Sequence, residues 1–270
     1  MSLKLESLKK KSLFKYITEW TLMMLGFVYW AVVGSAITII GTLLYWCLPL
    51  RYSLPCGRFL LQKAFQVFIA YFRVAGLLIL NDEELVKLSQ CSNALIIAPN
   101  HIALWDAVFI IARIPETICI MKGAILRNPI LGGGARLAGY IPNDSTSQML
   151  LKASAQLQQG EKLLVFPEGT RTKPDAIWLN QFQGAVAILA KHSSVPVVPV
   201  YIRSNSRFFE KGRPLFKMPD FPLRIDFTIG KPIQFKAEES NKDFSSRLES
   251  IYVTELSKPH PLRRKQKTDE

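Results

Sequence analysis

The chain has 270 residues, 49% of them hydrophobic, with 34 lysines and arginines against 21 aspartates and glutamates and a net charge of +13. That is enough for one good-sized α/β domain with apolar sequence to spare, and a charge that suits nucleic acid, anionic lipid or phosphorylated small molecules. No nucleic-acid module is recognisable and the basic residues gather at the ends and beside the apolar stretches, so no nucleic-acid partner is expected; Cys47, Cys56, Cys91 and Cys119 show neither CxxC nor metal spacing, which fits thiols in a reducing compartment.

In chain order, Lys4, Lys9, Lys10, Lys11 and Lys15 alternate with leucines and Phe14, a basic flank of the kind that stays in the cytoplasm. Between Glu19 and Arg51 no residue is charged, and the run exceeds the roughly 20 residues needed to cross a bilayer. It is read as a membrane segment, with a buried core helix or a cleaved signal peptide as the bland alternatives. After Pro55 a second apolar stretch, Phe59 to Leu80, carries Arg58, Lys63 and Arg73 and makes a poorer spanning helix. The two helices either form a hairpin through the membrane or lie half-immersed in one leaflet with their cations at the headgroups. Both arrangements leave the rest of the chain on the cytoplasmic face.

From about Asn81 the pattern changes. Short apolar runs predict strands at Ala94 to Ala98, Thr117 to Met121, Lys162 to Phe166, Val197 to Ile202 and Leu223 to Ile229. Helices are expected over Trp105 to Arg113, Thr146 to Gln159, Gln181 to His192 and Ser240 to Leu256. The alternation predicts an α/β domain, a mixed and largely parallel sheet flanked by helices, preceded by a membrane-associating two-helix segment. The expected division is 1–82 for that segment and 83–270 for the α/β domain. Pro214 to Pro222 reads as a loop, and the basic tail Arg263-Arg264-Lys265-Gln266-Lys267 as a solvated end.

Three loops carry candidate chemistry. In NHIALWD, His101 follows a strand and Asp106 falls in the opening turn of a helix. The carboxylate can then hold one ring nitrogen and leave the other to take a proton from a hydroxyl near neutral pH. The alternative is an Asp106 helix cap beside an incidental histidine. In FPEGTRT, Gly169 permits a turn whose N–H groups face an anion, and Arg171 offers a planar fork suited to phosphate; a surface turn with a Glu168–Arg171 ion pair is equally compatible. In the stretch Lys122 to Ser145, Gly132, Gly133 and Gly134 allow close backbone approach or mobility, and Lys122, Arg127 and Arg136 add positive charge.

Taken in order these loops resemble the membrane glycerolipid acyltransferase family over roughly Leu95 to Ile233. The pattern NHxxxxD matches Asn100, His101 and Asp106; PEGTR matches Pro167 through Arg171; the middle block matches Lys122, Pro129 and Gly132; a VPVVPV strand stands at Val195 to Val200. The resemblance implies transfer of a fatty acyl group, without metal or cofactor, from a coenzyme A or acyl carrier protein thioester to a lipid hydroxyl, with 1-acyl-glycerol-3-phosphate as the leading acceptor. It makes His101 the base and Asp106 its orienting carboxylate. Lys122 and Arg171 would surround the acceptor phosphate, with Glu168, Gly169 and Thr170 shaping the loop. Its implied partners are membrane lipids, a lysophospholipid acceptor and the thioester donor.

Two departures stand against the pattern. The family often carries an acidic residue after the middle-block lysine and closes the block with IDR or VDR; this chain has Gly123 and then Pro142-Asn143-Asp144-Ser145. The missing arginine leaves another lysolipid or a specialised lipid alcohol open as acceptor. Outside acyl transfer, a hydrolase lacks a GxSxG elbow here, and a non-enzymatic tether leaves the ordered motifs unexplained.

Overall fold

A computed structural model describes residues 13–206, 210–214 and 216–262. The lysines Lys4, Lys9, Lys10 and Lys11 and the tail from Arg263 to Lys267 lie outside the described residues. The uncharged N-terminal run forms one helix, α1 (Leu13–Cys47), followed by α2 (Leu50–Val74). Pro55 lies inside α2 rather than ahead of it: near the start of a helix a proline forgoes only one bond to a carbonyl four residues back.

The second apolar stretch does not stay helical to Leu80. Gly76, at φ +70°, turns the chain, and β1 (Leu78–Asn81) joins the sheet as a parallel neighbour of β7 (Leu223–Ile229). The sheet therefore begins ahead of the expected division at residue 82. Leu78 and Leu80 face the core while Ile79 does not, a period of two that a helical reading misses.

The remaining elements in order are α3 (Glu83–Ser89), β2 (Leu95–Pro99), α4 (Asp106–Arg113), β3 (Thr117–Met121), α5 (Gly123–Leu126), α6 (Gly132–Leu137), β4 (Ile141–Pro142), α7 (Thr146–Gln158), β5 (Lys162–Leu164), α8 (Ala185–Ser193), β6 (Val197–Ser204), β7 and α9 (Asn241–Ser257). Among the described residues seven strands run in the order β1-β7-β6-β2-β5-β3-β4, every neighbouring pair parallel except β6 with β7. The central strand β2 is buried at every residue, as expected for a parallel strand covered on both faces. Leu95 and Ile97 join the core under α2 and α4; Ile96 and Ala98 join the one under α7, α8 and α9.

The triple glycine is helical and buried. It forms the start of α6, and a Cβ on Gly133 would come within 2.6 Å of the Thr38 carbonyl oxygen, so the missing side chain is what lets α6 press against α1. Thr38 Oγ1 donates to the Ile130 carbonyl at 2.6 Å across the same seam. The outward face of α1, with Leu25, Val28, Val32, Ile39 and Leu43, stays exposed.

Helix α8 starts four residues later than its apolar pattern suggests. The amides of Asn180, Phe182 and Gln183 donate to Glu168, Glu249 and the Pro167 carbonyl, which holds the chain extended against the β5 loop until Gly184.

Candidate active site

Because β2, β5, β3 and β4 run parallel, their carboxyl ends open onto one edge of the sheet, where ligands of such folds bind. His101 leaves β2 there. Asn100, 1% exposed, fixes the strand end: its Oδ1 accepts from the Ile202 N–H at 2.7 Å and its Nδ2 donates to the Ile202 carbonyl at 3.1 Å. From behind, the Tyr252 hydroxyl of α9 donates to the Ala98 carbonyl.

The imidazole Nδ1 of His101 lies 3.0 Å from Asp106 Oδ2, and the same oxygen accepts from the Ala103 N–H at 2.8 Å. Asp106 opens α4 and is 1% exposed. Burial raises its carboxyl above the ordinary aspartate value, and the His101 ring and Ala103 N–H pull the other way. One face of the imidazole stacks on Phe166, ring centres 3.9 Å apart and planes 22° from parallel. With Nδ1 committed to the carboxylate, Nε2 is the nitrogen left to exchange a proton.

Glu168 is 2% exposed and points inward. Its carboxylate accepts from the His101 N–H at 2.8 Å, the Asn180 N–H at 2.7 Å and the Thr172 hydroxyl at 2.8 and 2.9 Å. Thr172 N–H in turn donates to the His101 carbonyl at 2.6 Å, so the β2 and β5 loops are laced together around the histidine. Burial raises the Glu168 carboxyl, opposed by the Asn180 and His101 N–H groups. All of its partners are uncharged, and the Glu168–Arg171 ion pair open from sequence is not what this carboxylate makes. Its carboxylate lies behind the histidine backbone.

Gly169 adopts φ +65°, which its lack of a side chain allows, and turns the loop back. Thr170 and Arg171 are half-buried beyond it, and Arg171 donates to the Glu210 carbonyl at 3.4 Å. Lys122 is exposed at the end of β3, two strands from β2 and so about 10 Å along the edge.

The two departures from the family pattern meet in space. A Cβ on Gly123 would stand 1.8 Å from Asp144 Oδ2, and that oxygen is 2.6 Å from Arg127 Nη1. Asp144 thus fills the volume that a side chain at 123 would take. Ser145 sits at the N-cap of α7 without a side-chain cap bond.

The ring of Phe166, the Thr172 hydroxyl and the Asn180 amide are site components that sequence reasoning did not assign. Thr172 stands inside the quoted loop; Asn180 carries no local signal, being a loop residue brought to Glu168 by the path of the chain.

Residues 79–203 match the sequence model of the Acyltransferase family. The chain is 32% identical over 124 residues to a 1-acyl-sn-glycerol-3-phosphate acyltransferase of Helicobacter pylori, covering 44% of this chain and 52% of that protein. It is 33% identical over 107 residues to a lyso-ornithine lipid O-acyltransferase of Pseudomonas aeruginosa, covering 38% and 40%. The chain spans about half the length, or less, of these curated relatives. Among solved structures, the 1-acyl-sn-glycerophosphate acyltransferase PlsC of Thermotoga maritima superposes with a TM-score of 0.61 at 19% identity, covering 91% of this chain and 97% of that one, which shows a shared fold.

Proposed function

We propose that this chain, whose residues 79–203 match the Acyltransferase family model, moves a fatty acyl group from a thioester to the hydroxyl of a membrane lysolipid. The observation that carries this reading is the 3.0 Å contact between His101 Nδ1 and the buried Asp106, at the open edge of the sheet. Nε2 takes the proton of the acceptor hydroxyl as its oxygen attacks the thioester carbonyl. The tetrahedral intermediate collapses with loss of the thiolate, which recovers the proton from the imidazolium. Asp106 keeps Nδ1–H directed toward itself and offsets the transient positive charge. A thioester is already activated, so no acyl-enzyme is required, and neither is a metal.

The donor is an acyl-CoA or acyl carrier protein thioester. As acceptor, 1-acyl-glycerol-3-phosphate accords with the name of the Helicobacter pylori relative and with Arg171 and Lys122 as cations for its phosphate. Ser145, where the family carries arginine, favours a second reading in which the acceptor is another lysolipid, in line with the Pseudomonas aeruginosa relative named for a lyso-ornithine lipid. Helix α1 is long and apolar enough to cross a membrane, yet Gly26, Gly34 and Gly41 are buried along one side of it. A helix held along its length against α2 and α6 fits one leaflet better than a span, which brings the lipid headgroup to His101 on the cytoplasmic side.

The direct test is acyl transfer by purified membranes carrying His101→Ala. A loss of about 10²–10⁴-fold in turnover with membrane binding retained is expected; full activity would end the proposal. An acceptor screen with one labelled thioester and a panel of lysolipids then separates the two acceptor readings.

A further inference from the structure

We propose that the connection between β6 and β7 is a second contact with the membrane, inserting Phe216 into an anionic leaflet beside α1 and laying its lysines on the headgroups. The inference rests on the membrane reading of α1 given above and extends it to a part of the chain that no motif covers.

The sequence of the connection interleaves aromatic and basic residues: over 207–217 it reads RFFEKGRPLFK. That alternation has no strand or helix to serve among the described residues there. The described part is anchored from inside. Pro219 and Phe221 are buried, Met218 packs on the core that α1 and α2 share with the sheet, and Arg213 donates to the Met218 carbonyl at 3.3 Å.

Phe216 goes the other way. It is 63% exposed and meets Phe27 of α1 edge-on, ring centres 5.6 Å apart. Two turns before Phe27 on the same face of α1, Trp20 is 44% exposed, so Phe216 adds a ring from a different part of the fold to an apolar surface that α1 already presents there. Lys217 beside it is exposed and Lys211 half-exposed, the pairing of an inserting aromatic ring with cations at headgroup depth that suits an interface with negative lipids. The segment also reaches the candidate active site, since the Glu210 carbonyl accepts from Arg171. Leaflet contact here would therefore hold the Arg171 loop at the surface from which the lipid acceptor arrives.

The test follows amide exchange of the full chain alone, with vesicles of phosphatidylcholine, and with vesicles containing a third phosphatidylglycerol. With the anionic vesicles, peptides carrying Phe216 should exchange about fivefold or more slowly, and the Phe216→Asp/Lys217→Glu variant should lose that protection while α1 keeps its own. If α1 is protected and the peptides with Phe216 are not, the proposal fails and the membrane reading of α1 stands; if neither is protected, both fail. Equal protection by phosphatidylcholine alone refutes the anionic requirement. Protection that grows with protein concentration in the absence of vesicles assigns the surface to a second copy of this chain and overturns the proposal.

Discussion

The two ends of the ligand-facing edge are built by opposite means. At the β2–β5 end, Asn100, Asp106, Glu168 and Thr172 are each 2% exposed or less: Asn100 ties the end of β2 to Ile202, Asp106 Oδ2 holds the His101 ring and the Ala103 N–H, and Glu168 and Thr172 bond across to the loop that carries His101. At the β3–β4 end, Lys122 is exposed and the charges meet in a surface pair whose partners are 68% and 49% exposed. A buried network tolerates little, because each missing partner strands a desolvated group; a solvated pair can be exchanged at small cost. The proposed proton-transfer pair thus occupies the rigid end, and the positions at which this chain departs from the acyltransferase motif pattern occupy the soft one.

The sharpest way to break this contrast is at Asp106. Asp106→Asn keeps the shape and removes the charge that steadies the imidazolium, so turnover should fall about 10²–10⁴-fold. Stability should move the other way with pH. The folded carboxyl titrates above its unfolded value, so its contribution is present below the unfolded value and is lost as pH rises through the folded one. The variant lacks that loss. Its denaturant midpoint relative to the parent should therefore be higher at about pH 7 than at about pH 4, and a difference independent of pH would contradict the raised carboxyl. Glu168→Ala should follow. It orphans the His101 and Asn180 amides and the Thr172 hydroxyl at a cost on the order of 1–3 kcal/mol for each donor left dry, and it should lower kcat far more than it raises KM. An effect confined to KM would return Glu168 to the substrate ligands.

Much of the rigid end was legible because its constraints are local. A strand of five buried residues, a histidine after it and an aspartate in the first turn of the next helix are all written within twelve positions of one another, from Leu95 to Asp106. Leu223 to Ile229 and Thr117 to Met121 were likewise readable as apolar runs with the observed bounds. What failed depended on tertiary partners. Leu78 to Asn81 looks like the end of an apolar helix until β7 supplies the ladder, and Gln181 to Gly184 looks like helix until Glu249 and the Pro167 carbonyl claim the Phe182 and Gln183 amides. Gly132 to Gly134 carried the right hint, close approach, but α1 is the surface approached, and nothing near residue 133 names it.

A smaller effect should appear on the acceptor side. Arg171→Ala removes the planar fork from the half-buried loop and should raise the apparent KM for a phosphorylated lysolipid about tenfold, leaving KM for the thioester unchanged. Equal changes in both would mean that the loop itself had collapsed, and would make Arg171 part of the rigid end. No change in either would direct attention to Lys122 as the cation that meets the phosphate.

The smallest effect tests the soft end. Gly123→Ala places a methyl where Asp144 Oδ2 now lies, 1.8 Å away, but the obstacle is the tip of a half-exposed side chain and can swing aside. The cost is then the surface pair with Arg127, about 0.2–1 kcal/mol. Asp144→Ala should cost a similar amount, and the double substitution little more than either alone, because one loss has been counted twice. Additive losses in thermal or denaturant unfolding would show that the 123 backbone itself cannot accept a side chain. In that case the β3–β4 end is as tightly specified as the histidine end, and the division of the edge into a fixed half and a variable half is lost.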